Sequence, residues 1–346
     1  MNKPGPIVEA FFALLRSGLY GRPLGSEELT SVAAHAAADW FVLARMAEEQ
    51  AVPGLLYQAA TLLPSGVKVP GDVVLDLMAR CEEIAYENRR KAVLVQRLLA
   101  RFKERGLSPL QMKGASVAVY YPRPELRESG DIDFYFPPAE LVAAQSCLSA
   151  PYRAPDGSLH GHEGGVDIDL HDHYFDLHVP ARKLPVPGSA EATILMLSAH
   201  ILKHAIGTGI GIRQCCDLAA ACRALKGAFD PAALKAYFRR TGTLRWNRLI
   251  FSFLVERLGL DEQIFAQIFG TSRVASAPLL NIILEGGNFG HYAAARRDKI
   301  AAGTSHRKRD TLRRFLHRLP FSLRFAPRET LATIWTLIRG NLRRSQ

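Results

Sequence analysis

Two aspartates lie two positions apart in the segment Asp131-Ile132-Asp133, which Phe134 follows. Alternate side chains of a β-strand point to the same side, so Asp131 and Asp133 would project together while Ile132 and Phe134 pack into a core. Two carboxylates this close repel each other unless a cation lies between them. Oxygen ligands on a short strand suit Mg²⁺, which binds a few carboxylates together with substrate phosphates. The same Asp-x-Asp pattern also occurs on solvated strands, so its surroundings decide the interpretation.

A glycine turn precedes the two aspartates. The sequence predicts a strand at Pro109 to Met112, a turn at Lys113-Gly114-Ala115-Ser116, and a helix from Ala115 to Tyr121. Backbone N–H groups at such a turn, with no side chain on Gly114, can hold phosphate oxygens. The alternative is a plain strand–turn–helix connection that binds nothing.

A third acid follows further along the chain. Gly164-Gly165 predicts a hairpin turn into Val166-Asp167-Ile168-Asp169-Leu170-His171, where apolar residues alternate with two acids and a histidine. A carboxylate from this neighbouring strand would complete a site for two metal ions. The alternation alone leaves both Asp167 and Asp169 as candidates.

The elements that position these residues are predicted from apolar spacing. The first hundred residues favour helices, ending in a long one from Asp72 to Arg105 whose apolar positions include Leu75, Met78, Ile84, Val93, Val95 and Leu98. Short extended segments then occur at 109–112, 132–136 and 166–170, and helical spacing returns from Ala190 to about Leu284. We therefore predict an α+β fold with four regions: helical 1–105, an α/β core 106–188, helical 189–287, and a basic helical tail 288–346.

Composition and charge narrow the class of protein. The chain has 346 residues, of which 48% are hydrophobic and 22% charged, as in ordinary globular proteins. Without a run of about 18 apolar residues or a secretory pattern, we expect a cytoplasmic protein with no transmembrane segment. Five scattered cysteines without metal-binding spacing are expected to be structural thiols.

The net charge of +11 belongs to the tail. Residues 296–346 contain 14 Lys or Arg and 3 Asp or Glu, so the preceding residues are neutral in sum. Aromatic residues interleave with these cations, which is typical of a surface for RNA, anionic lipid or an acidic peptide. A solvated basic face without a partner is the alternative.

In their order, these motifs resemble the minimal nucleotidyltransferase fold of the polymerase-β-like superfamily. More narrowly, Met112-Lys113-Gly114, Tyr121-Pro122, Arg127-Glu128-Ser129-Gly130-Asp131-Ile132-Asp133 and Asp169-Leu170-His171 are similar to a bacterial, largely uncharacterised nucleotidyltransferase family. The resemblance extends over roughly residues 30 to 320 and includes His200-x-x-x-His204. It departs at the turn, where the superfamily commonly has Gly-Ser or Gly-Gly. Either Ser116 supplies the hydroxyl from one position later, or the backbone of Gly114 and Ala115 binds phosphate alone.

The resemblance implies a site and a reaction. Asp131 and Asp133 would bind Mg²⁺ or Mn²⁺, with Asp169, favoured over Asp167 by the family pattern, as the third carboxylate. A nucleoside monophosphate would pass from an NTP such as ATP to a hydroxyl on a small molecule, a peptide or protein, or RNA. Lys113 or Arg127 could offset the charge of the departing phosphates, although Arg127 could instead pair with Glu125 or Glu128.

Histidines around the acids admit different interpretations. His171 is expected to orient an acidic ligand, and His200 and His204 either border the cleft or lie on a polar helix face. Further histidines at positions 160, 162, 173 and 178 raise the hypothesis of a zinc or manganese hydrolase, but their spacing matches no known signature. Two rival functions stay open at this point: a catalytically silent binding or regulatory module, and an RNA-binding protein that acts through its basic tail.

Overall fold

The computed structural model describes residues 5–154, 157–207, 209–286 and 304–342. Within them the chain forms fifteen α-helices and one mixed sheet of five strands, which confirms the α+β class. The chain divides into two compact units, residues 1–174 and 175–346. The four-region division remains a prediction, and residues 288–303 and 343–346 of its tail lie outside the described residues.

The first unit begins with five helices. They are α1 (Pro6–Tyr20), α2 (Ser26–Ala33), α3 (Ala37–Glu49), α4 (Pro53–Thr61) and α5 (Gly71–Glu104). Proline opens α1 and α4, where its fixed φ suits the first turn and its missing N–H costs nothing. A Cβ at Gly54 would lie 2.3 Å from the carbonyl oxygen of Leu126, so only glycine lets α4 approach the loop before the Asp-x-Asp strand.

Helix α5 confirms the predicted long helix but buries a different set of apolar residues. Leu75, Met78 and Val93, which the spacing singled out, are exposed. The buried side chains follow one helical face and include Ile84, Val95 and Leu98, as predicted, together with Val73, Leu77, Cys81, Ala85, Leu94 and Phe102. Apolar residues occur on more than one side of this helix. Spacing alone therefore did not identify which side is buried against the rest of the unit.

The sheet has the order β1-β2-β5-β4-β3. Its strands are β1 (Leu110–Met112), β2 (Ile132–Tyr135), β3 (Pro151–Arg153), β4 (Leu159–Glu163) and β5 (Val166–His171). Strands β2 and β5 pair in parallel, and all other pairs are antiparallel. Two short helices, α6 (Gly114–Ala118) and α7 (Leu141–Ser146), complete this part, and α6 ends before the predicted Tyr121.

One side of the sheet packs against α5 in a hydrophobic core of the first unit. Phe134 and Phe136 pack edge-on against Phe102 of α5, at ring separations of 5.4 Å and 5.0 Å. Ile132, Ile168 and Leu170 belong to the same buried cluster. Because side chains alternate along a strand, burying these residues leaves Asp133 and Asp169 on the opposite side.

The predicted hairpin is present between β4 and β5. Glu163 pairs with Val166 across a two-residue loop, and both Gly164 (φ 59°) and Gly165 (φ 77°) take the left-handed conformation of a type I′ turn. This loop fixes the register, so that His160 lies opposite Asp169 and His162 opposite Asp167.

The second unit is helical, as the sequence predicts from Ala190 onward. It contains α8 (Ala190–Ile206), α9 (Ile212–Ala224), α10 (Pro231–Thr241), α11 (Leu244–Leu258), α12 (Glu262–Phe269), α13 (Ala277–Gly286), α14 (Thr304–Phe325) and α15 (Pro327–Leu342). In its core, the indole N–H of Trp246 donates to the carbonyl oxygen of Ser198. The side chains of Arg307, Lys308 and Arg309 in the basic tail lie outside the described part of the chain. None of the described helices combines the length and the hydropathy needed to cross a membrane.

Candidate active site

Asp133 and Asp169 are neighbours on adjacent strands. Strands β2 and β5 pair in parallel with Asp133 opposite Asp169, and the core residues Ile132 and Ile168 are paired one position earlier. The carboxylate of Asp133 is buried and that of Asp169 is partly exposed. Two acids that are far apart in the sequence thus meet on one face of the sheet.

Two basic groups contact the same oxygen of Asp133. The ammonium of Lys113 lies 3.0 Å from Oδ1, and Nε2 of His171 lies 2.7 Å from it. Burial works to raise the pKa of Asp133, but the charge of Lys113 and the hydrogen bond from His171 outweigh it and hold this pKa well below its usual range. Asp133 is therefore a carboxylate whose charge the protein stabilises.

Lys113 reaches Asp133 from a strained turn. It follows Met112, which pairs with Asp133 across β1 and β2, and its φ of 48° is unusual for a residue other than glycine. The hydroxyl of Ser116 donates to the carbonyl oxygen of Lys113 at 2.7 Å. The hydroxyl of Ser116 is thus used in a hydrogen bond within the turn.

Asp131 lies just before β2 and is exposed to water. Its carboxyl is nevertheless surrounded closely enough that desolvation raises its pKa, and the charges of Asp133 and Asp169 act in the same direction. The charge of Lys113 opposes them but does not prevail. Asp133 and Asp169 are therefore close enough to Asp131 to disfavour its negative charge.

A possible metal-binding group lies on this face. Ligand atoms of Asp133, Asp169 and His171 all fall within 4.8 Å of one another, and this is the one such group among the residues that the structure describes. Asp131, predicted as a ligand from the sequence, is not part of that group. Asp167 is not part of it either, since its carboxylate is exposed and pairs with His162 at 2.9 Å. Of the two candidates on β5, Asp169 is therefore the one beside Asp133.

Asp169 is held by a chain of polar groups that the sequence interpretation missed. Nδ1 of His160 lies 2.6 Å from Oδ1 of Asp169, and Nε2 of the same ring lies 2.6 Å from the hydroxyl of Ser158. Tyr152 of β3 stacks on His160, with 5.1 Å between ring centres. The two-residue glycine loop was a sufficient signal for the pairing, because it sets the register that places His160 opposite Asp169.

A cavity of about 260 Å³ opens beside Asp131 and Asp133. It lies between α5, the turn at α6 and the loop before β2. Its walls are largely apolar, and the lining residues include Ala85, Ala92, Val95, Met112, Gly114, Ala115, Ala118, Val119, Arg127 and Ile132. Of the predicted phosphate-binding residues, Gly114, Ala115 and Arg127 line this cavity, and Lys113 contacts Asp133 instead.

Arg127, in the loop before β2, is buried. Its guanidinium Nη1 lies 3.3 Å from the carbonyl oxygen of Glu128. Glu125 pairs with Arg123 at 2.9 Å, and Glu128 pairs with Arg80 at 3.2 Å.

Helix α5 holds the loop that leads to Asp131. The amide of Asn88 donates to the carbonyl oxygens of Glu125 and Arg127, each at 2.9 Å, and its Oδ1 accepts from Ser129 at 2.7 Å. The ammonium of Lys91 also donates to the carbonyl oxygen of Ser129. These contacts link residues about forty positions apart, and the sequence contains no local signal for them.

His200 and His204 lie on α8 in the second unit. Their rings meet edge-on at 4.5 Å, and Nδ1 of His200 lies 3.0 Å from a carboxylate oxygen of Asp176. His178 of the same unit pairs with Glu329 at 2.9 Å. A role for His200 and His204 at the acidic cluster remains a prediction.

Comparisons with known proteins bear on this site. No curated protein and no solved structure matches the chain. A family model described as uncharacterised nucleotidyltransferase matches residues 36–259, which include α5, the whole sheet and all three acids. This match covers more than half of the chain and confirms the resemblance seen in the motifs. The chain is a member of the uncharacterised nucleotidyltransferase family.

Proposed function

We propose that the protein transfers a nucleoside monophosphate from an NTP to a hydroxyl group, at the cluster formed by Asp131, Asp133 and Asp169. The observation that carries the proposal is the parallel register of β2 and β5, which pairs Asp133 with Asp169 on the side of the sheet away from the core. Asp131 is the third acid of the cluster, because the charges of Asp133 and Asp169 contribute to its raised pKa. Family membership supports the reaction class.

The donor set suits a divalent cation, Mg²⁺ or Mn²⁺. Carboxylates of Asp133 and Asp169 lie close together, and Asp131 adds negative charge beside them. When bound, such a cation supplies electrophilic stabilisation of the phosphate oxygens and lowers the pKa of a bound hydroxyl. The lowered pKa of Asp133 keeps that carboxylate ionised and ready to bind it.

Lys113 has two tasks in this proposal. Its ammonium balances the charge of Asp133 when no substrate is present. A single ammonium on a flexible chain can also pair with phosphate oxygens when they arrive. The same residue then offsets the negative charge that the triphosphate brings to an already acidic face.

The cavity beside Asp131 takes the nucleoside of the donor. Most of its exposed wall is apolar, and polar side chains such as Asn88, Lys91 and Arg127 are also among the lining residues, as is usual for small-molecule pockets. The hydrogen bonds from Asn88 and Lys91 keep the loop at 125–129 in place, so the pocket is formed before the ligand enters. A preformed pocket orients the α-phosphate towards the acids at less entropic cost.

The test is transfer of label from NTPs labelled at the α-phosphate. The purified protein is incubated with each of the four NTPs, Mg²⁺ or Mn²⁺ and a cell extract, and products are separated by size and chemistry. We expect cation-dependent label on one acceptor, lost with Asp131→Asn combined with Asp133→Asn. Transfer by the double variant at a substantial fraction of the wild-type rate would contradict the proposal, as would label that is never taken up.

A further inference from the structure

We propose that His171 is a direct metal ligand beside Asp133 and Asp169, and that the site therefore selects a first-row transition-metal ion such as Co²⁺ or Mn²⁺ over Mg²⁺. This inference rests on the proposed function in assuming that the acidic cluster binds a cation. It adds the identity of a ligand and the class of the metal.

The strands place His171 on the metal-binding face. His171 pairs with Tyr135 across β2 and β5, two positions beyond the pairing of Asp169 with Asp133, so its side chain points to the same side. Its Nε2 lies 2.7 Å from Oδ1 of Asp133. Two ligands bound about 2.1 Å from a metal at a right angle lie about 3 Å apart, so this separation is close to that of adjacent ligands.

His171 differs from the other histidines of this sheet. His160 uses both ring nitrogens, one on Asp169 and one on Ser158. His162 pairs with Asp167, outside the group of possible ligands. The hydrogen bond of His171 to Asp133 leaves it as the imidazole that points into the cluster, with its side chain about one fifth exposed. A bound cation would take the place of the hydrogen bond between His171 and Asp133.

An imidazole ligand changes which metals the site prefers. Mg²⁺ favours oxygen ligands and keeps much of its water, whereas an imidazole nitrogen suits transition-metal ions. Asp133, Asp169 and His171 together make a mixed donor set of two oxygens and one nitrogen. His160 fixes Asp169 from behind through Oδ1, which holds one carboxylate of this set in position.

The first test measures metal affinity without any reaction. Binding of Co²⁺, Mn²⁺ and Mg²⁺ is compared in the wild type, His171→Ala and His162→Ala by calorimetry, with Co²⁺ also followed by its visible absorption. We expect the wild type to bind Co²⁺ at least about ten-fold tighter than Mg²⁺, because an imidazole nitrogen suits Co²⁺ and Mg²⁺ favours oxygen ligands. The His171→Ala variant should lose more affinity for Co²⁺ than for Mg²⁺, and the matched control His162→Ala should keep both affinities. Equal loss of Co²⁺ and Mg²⁺ affinity in His171→Ala would overturn the proposal, because a histidine that only orients Asp133 acts on both metals alike.

A second variant reports ligation directly. His171→Cys should show a thiolate-to-Co²⁺ charge-transfer band in the near ultraviolet that the wild type lacks. All five native cysteines are buried, so they do not add to this signal. A folded His171→Cys protein that binds Co²⁺ without the band would overturn the inference. That result would leave nucleotidyl transfer untouched, since label transfer supported by Mg²⁺ alone is scored in a separate assay.

Discussion

At the residue scale, the three aspartates of the cluster have different surroundings. Asp133 is buried against Lys113 and His171, which stabilise its charge. Asp131 is the one whose pKa is raised, first by desolvation of its carboxyl and then by the charges of Asp133 and Asp169. Both belong to one Asp-x-Asp motif, and the motif predicts their common direction but not this difference, because Lys113 and His171 come from other parts of the chain. A charge that is disfavoured in the folded protein is typical of functional sites.

Asp131→Asn should separate activity from stability. A carboxyl with a raised pKa costs folding free energy at pH values where it is ionised, so removing its charge should leave the free energy of unfolding at neutral pH equal or slightly higher. Transfer of labelled nucleotide should fall by at least about a hundred-fold, because several kcal/mol of charge stabilisation are lost. Chemical denaturation and the label assay measure the two effects. A clear loss of stability together with full activity would be the opposite of this expectation.

His160→Ala should weaken the site through Asp169 without contacting substrate. Loss of the hydrogen bond to Oδ1 frees the carboxylate to rotate, and we expect cation affinity or turnover to fall by about ten- to a hundred-fold. His160→Gln, which retains a side-chain donor, should recover part of the loss. His162→Ala is the control on the same strand, and a defect of equal size there would argue that the hairpin is being disrupted as a whole.

At the element scale, local sequence signals predicted the helices and the hairpin well. They did not predict the pairings between distant segments. The glycine loop at 164–165 predicted the β4–β5 hairpin, and the length of α5 followed from its spacing. The parallel pairing of β2 with β5 joins segments more than thirty positions apart, which no local pattern encodes. The contacts of Asn88 with the loop before β2 are of the same kind, and so is the choice of buried face on α5.

Arg101 of α5 fastens this hairpin through an ion pair with Glu163. Two hydrogen bonds of 2.9 Å and 3.0 Å join the guanidinium to the carboxylate, and Ser149 adds a third at 2.8 Å. The bonds from Arg101 hold the pKa of Glu163 below its usual value of 4.5. The stabilisation is thus complete above that value and is lost as pH falls through the lowered pKa.

Glu163→Gln should therefore destabilise the protein by about 1–2 kcal/mol at neutral pH. The gap to the wild type should shrink as the pH drops well below 4.5, where the wild-type carboxyl is protonated too. Urea denaturation of both proteins, from neutral pH to below 4.5, measures this difference in the free energy of unfolding. Glu87→Gln removes an exposed pair with Arg90 on the same helix and should destabilise the protein much less than Glu163→Gln does. A gap that is constant with pH would show that charge is not the cause.

At the scale of the whole molecule, the role of the basic tail stays a prediction, whereas the prediction for the cysteines is confirmed. The excess of basic residues in 296–346 follows from composition, and an anionic partner for this tail stays a prediction, as does a cytoplasmic location. The cysteines were predicted to be structural, and all five are buried thiols outside any disulfide. Burial raises the pKa of Cys81 to about 12 and that of Cys215 and Cys222 further.

Thiol reagents should therefore react slowly with the native protein. We expect little modification within minutes at neutral pH and five thiols in denaturant, because the thiolate is the reactive form and access is closed. Ellman titration with and without guanidinium measures this. If one or more thiols of the native protein reacted within seconds, that result would contradict the burial of these cysteines.

The most direct test of the account compares two carboxylates on the same face of β5. Asp169 lies beside Asp133, while Asp167, two positions earlier, pairs with His162 in solvent. The rate of label transfer from α-labelled NTP is measured for Asp169→Asn and Asp167→Asn under identical conditions. We predict a loss of at least about a hundred-fold for Asp169→Asn and a rate within about two-fold of the wild type for Asp167→Asn. Equal rates for the two variants, or the reverse order, would contradict the acidic cluster as the centre of the reaction.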